Sequence, residues 1–182
     1  MSTVLPQTHS TTPQTVYLGG LARRLASEKV ASEEVIRELQ AKSSKVGKTL
    51  VALLVEGNHA SAARLAEVAS AEFGSPMMDL SVIDIDPQLL REVGDKLIRK
   101  HTALPLYKLG KKLFVAIADP ANIGALDEFK FATGFATEAV VVEQDKLAKL
   151  VEIAAFSAEA SPLGVVDADL DGLEVVEGGD DD

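Results

Sequence analysis

The sequence predicts an α+β fold: an N-terminal small helical bundle followed by a small open sheet packed with helices. Three observations carry this. Apolar residues recur at helical spacing through roughly 15–74. Two apolar runs, Leu106–Leu109 and Leu113–Ile117, meet across Gly110-Lys111-Lys112 in a hairpin signature. After Pro76 the order is helix, strand, strand, helix, strand, helix, which suits a small sheet with helices packed against it. The 182 residues leave room for one ordinary domain or two small ones. The pattern divides them into a mobile arm at 1–14, a helical subdomain at 15–74, an α/β subdomain at 75–157 and an acidic linker or tail at 158–182.

The arm is rich in Thr, Ser, Gln and Pro and has little to bury. The first helix carries Leu18, Leu21 and Leu25 and ends in Ser27-Glu28-Lys29. Ser32 is placed to cap the next, ahead of Glu33, Glu34 and the apolar set Val35, Ile36 and Leu39. Gly47 to Val55 reads as a short apolar helix closed by Glu56-Gly57-Asn58. A fourth, about Ala60 to Phe73, turns Leu65, Val68 and Ala69 inward and stops at Gly74. Asp79 to Val82 reads as extended. Asp86-Pro87 then starts a helix, with the acid as cap and Pro at the first position. Past the hairpin, Asp119-Pro120 ends the second strand, and Ala125 to Thr133 is helical with a stop at Gly134. Val140 to Val142 is a buried strand, and Gln144 to Phe156 is the last helix.

Apolar residues make up 47% of the chain and aromatics only 4%, so the core is built from Leu, Val, Ile and Ala. The absence of Cys removes disulfides, zinc–thiolate sites and thiol nucleophiles together and suits a reducing cytosol. No apolar run approaches the roughly 18 residues of a membrane span, and the first fifteen residues lack a signal peptide's order. A cytoplasmic protein is the expectation. The net charge of −10 resolves once it is located: nine acidic and no basic residues lie from Ser157 to Asp182. The remainder, 19 acids against 18 bases, has no clustered positive surface of the kind nucleic acid requires.

Val46-Gly47-Lys48-Thr49 imitates the end of a phosphate-binding loop, but Lys42 stands where the first glycine is needed and no strand leads in. His9, His59 and His101 have no metal-ligand spacing. Asp84 and Asp86 could pair for acid–base work, yet Asp86 is explained by capping. No G-x-S-x-G elbow is present. No catalytic residue, cofactor or metal is therefore expected, and no ATP hydrolysis by this chain. Lys96, Arg99, Lys100, Lys108, Lys111 and Lys112 give the α/β part a basic side, read first as a solvated face.

More specific is an ordered series of pieces. Phe73-Gly74-x-Pro76-x-x-Asp79-Leu80 precedes Lys96-Leu97-Ile98-Arg99-Lys100-His101 and Leu104-Pro105-Leu106. The run Leu113 to Pro120 and the stretch Ala125 to Gly134 follow. The series resembles the N-terminal domain shared by the type II secretion and type IV pilus assembly ATPases, strongly over about 47–151 and loosely over 16–46. The resemblance implies a hexameric motor whose Walker motifs lie after a linker like this one, so no ATPase residue falls in this chain. It also implies that the region couples the motor's own ATPase domain to regulators and to the inner-membrane platform protein, with a PilZ-type adaptor docking on it in some members.

Other members bind cyclic di-GMP through two copies of a motif like R-L-G-x-x-L-V-x-x-G. Lys45-Val46-Gly47-x-x-Leu50-Val51 keeps the shape of one, with Lys for Arg and Leu54 for the later Gly. Gly20-Leu21-Ala22-x-x-Leu25 is a poorer copy, without the Arg or the Gly. An arginine's planar fork is what stacks on guanine and clamps phosphate, so its loss removes much of the affinity. Protein docking is therefore the leading reading and direct cyclic di-GMP sensing the alternative. The expected docking surface is the first helix, with Tyr17 as surface anchor and Leu18, Leu21 and Leu25 continuing the stripe; core packing competes for Leu21 and Leu25.

Overall fold

The computed structural model describes residues 18–159. The expected arm at 1–14, His9, Tyr17 and the tail from 160 onward lie outside the described residues. The architecture is α+β, as the patterns require. Helices α1 (Gly20–Ser27), α2 (Glu33–Val46), α3 (Leu50–Glu56) and α4 (Ala62–Phe73) come first. A 3₁₀ turn at Leu80–Val82, α5 (Pro87–Val93) and α6 (Asp95–His101) lead into β1 (Leu104–Leu109) and β2 (Lys112–Ile117). Then come α7 (Ile123–Thr133), β3 (Ala136–Val141) and α8 (Gln144–Glu159).

Side-chain caps fix most helix starts. Ser32, Thr49, Ser61, Asp86 and Asn122 accept from the backbone N–H of Val35, Ala52, Arg64, Gln88 and Ala125, each contributing about 1 kcal/mol. Several expected boundaries move for the same local reasons. Gly47 does not open the third helix: at φ +68 it is the left-handed cap that ends α2, and α3 begins only after Thr49. A helix, not a strand, therefore leads into the phosphate-loop imitation, which is a helix–helix turn. Leu18 precedes α1 rather than lying in it, and Ala60 precedes the Ser61 cap. Residues 80–82 coil instead of extending, with the Asp79 carboxylate accepting from Ser81 N–H. The helix from Pro87 breaks at Gly94 into two. The last helix continues to Glu159.

The sheet order is β1-β2-β3, antiparallel between the first pair and parallel between the second. Pro105, which has no N–H to give a ladder, lies in β1 at the sheet's edge beside a register shift. On the far side of β3, Met77 bridges Val141, and Met78 N–H donates to the Val141 carbonyl at 2.9 Å. The segment leaving α4 thus extends the sheet. One apolar cluster runs unbroken from Leu21 to Ala154, including Leu25, Leu54, Leu65, Leu113, Phe129 and Leu147. Helix α8 touches α3 and α4 as well as α6 and β2, so the core crosses Gly74 without a seam. No helix among the described residues is long and apolar enough to cross a membrane.

Candidate functional site

Where the α1 start, the α2 end and the α2–α3 turn face the loop after β2, they leave a cleft of about 590 Å³. Gly19 and Gly20 form one lip and Gly47 to Leu50 the other, while Asp119 to Asn122 close the end. Gly20 and Gly47 have φ of +48 and +68, and a Cβ at either would meet nothing within 4 Å. Backbone geometry rather than crowding therefore calls for glycine at both. Ser43 Oγ donates to the Lys48 carbonyl at 2.5 Å and fixes the turn. The two degenerate motif copies, 25 residues apart in sequence, open onto this one cleft: Gly20, Leu21 and Ala22 from the first, Gly47 and Leu50 from the second.

Polar side chains share the cleft wall with apolar ones, Ser43, Ser44, Thr49 and Asn122 among them. Gln40 lines it, and its Oε1 is buried with no hydrogen-bond partner. Asp119 accepts from Ala121 N–H at 3.0 Å, yet burial pushes its carboxyl above the usual aspartate range. Among the described residues Lys48 is the one cation lining it, and its Nζ lies 2.6 Å from Glu56 Oε1. Lys45 is exposed and does not line the cleft.

A smaller pocket of about 320 Å³ adjoins, sharing the Gly47–Thr49 turn, Asp119 and Asn122. Its other wall holds Lys100, His101 and Thr102 from the end of α6 and Gln144 from the start of α8. Lys100 Nζ sits 2.7 Å and His101 Nε2 3.1 Å from the Glu128 carboxylate. Those contacts, Lys100 first, hold Glu128 below the usual glutamate range. The basic side is largely spent in such pairs: Lys108 with Glu92 and Lys112 with Glu138. Asp86 is a cap and Asp84 is exposed, so the two do not form a carboxylate pair. No group of three or more potential metal ligands is present among the described residues.

The expected docking residues divide. Leu25 is fully buried and Leu21 nearly so, both within the core cluster. Leu18 is half-buried against that cluster, and Tyr17 lies outside the described residues. Large apolar exposure falls elsewhere. Phe131 is 93% exposed beside a shallow groove containing Val93 and Leu97, and Ile123 lies on the same helix, two turns earlier. Gln40 gave no signal in the sequence, and Asp119 and Gln144 were legible only as the end of a strand and the start of a helix, because isolated polar residues without motif spacing do not mark a site.

Comparison with known proteins agrees with this fold. The MshEN domain family matches residues 73–157. The type IV pilus assembly ATPase PilB of Pseudomonas aeruginosa is 36% identical over 160 residues, 88% of this chain and 28% of that protein. PilB of Acinetobacter baylyi is 34% identical over 72% of the chain and 23% of that protein. PilB of Myxococcus xanthus is 30% identical over 79% and 25%. The chain thus spans about a quarter of the length of these relatives. Among solved structures, MshE with cdg superposes with a TM-score of 0.55 at 21% identity, over 74% of this chain and 97% of that one. The N-terminal domain of XpsE superposes at 0.58 and 19%, over 73% and 92%. At such identities these two establish the fold.

Proposed function

Because the chain belongs to the N-terminal domain family of the type IV pilus motor ATPases, carrying its MshEN domain at 73–157, we propose that it is the regulatory and docking module of a cytoplasmic pilus-extension motor. In this reading a PilZ-type adaptor and the inner-membrane platform protein are its partners. The ATPase domain of the parent chain, hexameric when assembled, is what it regulates. The observation that carries the reading is the cleft's charge. Cyclic di-GMP presents two phosphates and two guanines, but among the described residues the cleft is lined by the single cation Lys48, already paired with Glu56. With Gly20 and Lys45 where the motif has arginines, neither lip supplies a guanidinium fork. Regulation then reaches the motor through protein contact.

In this reading docking falls on the N-terminal edge, with Tyr17 as anchor and Leu18 next to it in sequence, while Leu21 and Leu25 are committed to the core. Tyrosine offers a large, rigid contact area at low entropic cost. Tyr17→Ala is expected to weaken adaptor binding by about 1–2 kcal/mol with an unchanged melting temperature. Undiminished affinity in that variant would move the surface elsewhere, with Phe131 and its groove next in line.

Direct cyclic di-GMP sensing stands as the second reading, favoured by the unpartnered Gln40 Oε1 in a glycine-lipped cleft. MshE, solved with cdg, shares the fold. Saturable stabilisation of this chain by cyclic di-GMP, lost in Gln40→Ala, would establish it over the first.

A further inference from the structure

We propose that residues 163–176 of this chain dock in the shallow groove between α7 and the α5–α6 joint, with Leu170 and Leu173 packed against Phe131. The inference does not rest on the docking reading. The groove, of about 610 Å³, has Val93, Gly94 and Leu97 on one side and Phe131 and Ala132 on the other. Phe131 is 93% exposed, and an aromatic ring left in water beside an apolar slot marks a surface that a partner segment covers. Lys96 and Lys100 on α6 stand against Asp127 and Glu128 on α7, and Lys100 is already bound to Glu128. The lining charges balance, so apolar contact carries the binding. Arg99 and Lys130, both exposed, add positive charge at the flanks.

The path of the chain brings this segment to the groove. β2 and β3 are parallel neighbours, with Lys112 opposite Ala136 at one end and Ile117 opposite Val141 at the other. Helix α7 leads from the Ile117 end back to Ala136, so Phe131 and Ala132, in its last turn, lie at the Lys112 end. Leu104, which follows α6, pairs with Ala116 near the Ile117 end, so the Gly94 joint lies back toward the Lys112 end as well. Helix α8 leaves β3 at the Val141 end and packs along α6 and β2. Its 16 residues rise about 24 Å, more than the ~20 Å of a six-residue strand, and return the chain to the Lys112 end. Helix α6, which touches both α7 and α8, lies between that exit and the groove. A helix is about 10–12 Å across, and the eleven residues from Glu159 to Leu170 reach up to about 36 Å. The segment also has the matching chemistry: Val166, Leu170 and Leu173 interleave with Asp167, Asp169, Asp171 and Glu174, and no basic residue occurs from Ser157 onward. Tethering supplies an effective concentration of roughly millimolar, so a small contact suffices.

The chain has no cysteine, so Gly178→Cys carries a single nitroxide label in the full 182-residue protein. With ¹⁵N labelling, the amides of Gly94, Leu97, Phe131 and Ala132 are expected to lose intensity while the label is oxidised and to recover it on reduction with ascorbate. Adding Leu170→Asp and Leu173→Asp should abolish that loss. Phe131→Ala, which removes a ring that is 93% exposed, should do the same with an unchanged melting temperature. A second sample mixes ¹⁵N chain lacking the cysteine with ¹⁴N chain bearing the nitroxide, and no loss is expected there. Equal loss in that mixture would assign the groove to a second copy and overturn the proposal. So would intensity losses that are absent at the groove, that spread equally over α2 residues such as Glu38 and Lys42, or that persist unchanged with Leu170→Asp and Leu173→Asp.

Discussion

Asp119 shows how one side chain's surroundings set its behaviour with pH. Burial raises its carboxyl in the folded chain, and the Ala121 N–H bond offsets this only in part. In the window between the ordinary value and the raised one, the unfolded chain has released the proton and the folded chain keeps it. Stability therefore falls as pH rises through that window and stays lower above it. Asp119→Asn keeps an oxygen for Ala121 and removes the charge, so it should raise the melting temperature at pH 7 and leave it nearly unchanged at pH 3. Gly47 is a second residue-scale case. At φ +68 a side chain is strained even with open space around it, and Gly47→Ala should cost about 1 kcal/mol by denaturant titration. Sequence made Ser32 and Asp86 legible, because a capping residue is recognised from its neighbours alone. It misplaced Gly47, since the same glycine can end one helix or begin the next, and only the path of α2 decides. The burial of Gln40 and Gln144 stayed invisible, because burial of an isolated amide is a property of packing between distant segments.

At the scale of elements, what the sequence conveyed best was the identity of each helix and strand, and least their junctions. The hairpin β1–β2 and the stop at Gly134 followed from turn chemistry. The break between α5 and α6 did not, since Gly94 sits inside a pattern that remains apolar on one face. The strand expected at 140–142 begins earlier, at Ala136, because its first half is paired to β2 while its side chains are partly solvent-facing. The docking of Met77 against Val141 was likewise beyond local pattern. Helix α7 depends on one side chain: Phe129, fully buried under the sheet, is its largest anchor. Phe129→Ala should destabilise the chain by about 3–5 kcal/mol, read as a lowered urea midpoint. A loss under 1 kcal/mol would mean that α7 is held by its caps instead of its packing.

For the whole molecule, a core that continues from the four N-terminal helices into the sheet fixes the cleft at their junction. The lips belong to α1, α2 and the α2–α3 turn, and the far wall to the loop after β2. Anything that binds the cleft or its rim contacts both halves at once. The sequence conveyed the two motif echoes but not that they share a cleft, and it conveyed the loss of arginine but not that Lys48 is the cation left at the lips. The central claim is that this module answers to a protein rather than directly to a nucleotide. The most direct measurement is calorimetric titration of the full 182-residue chain with a purified PilZ-type adaptor and, separately, with cyclic di-GMP. The account expects a saturable one-to-one adaptor complex with a negative heat-capacity change from apolar burial, and no saturable heat from the nucleotide. A nucleotide isotherm that saturates while the adaptor gives none would contradict it.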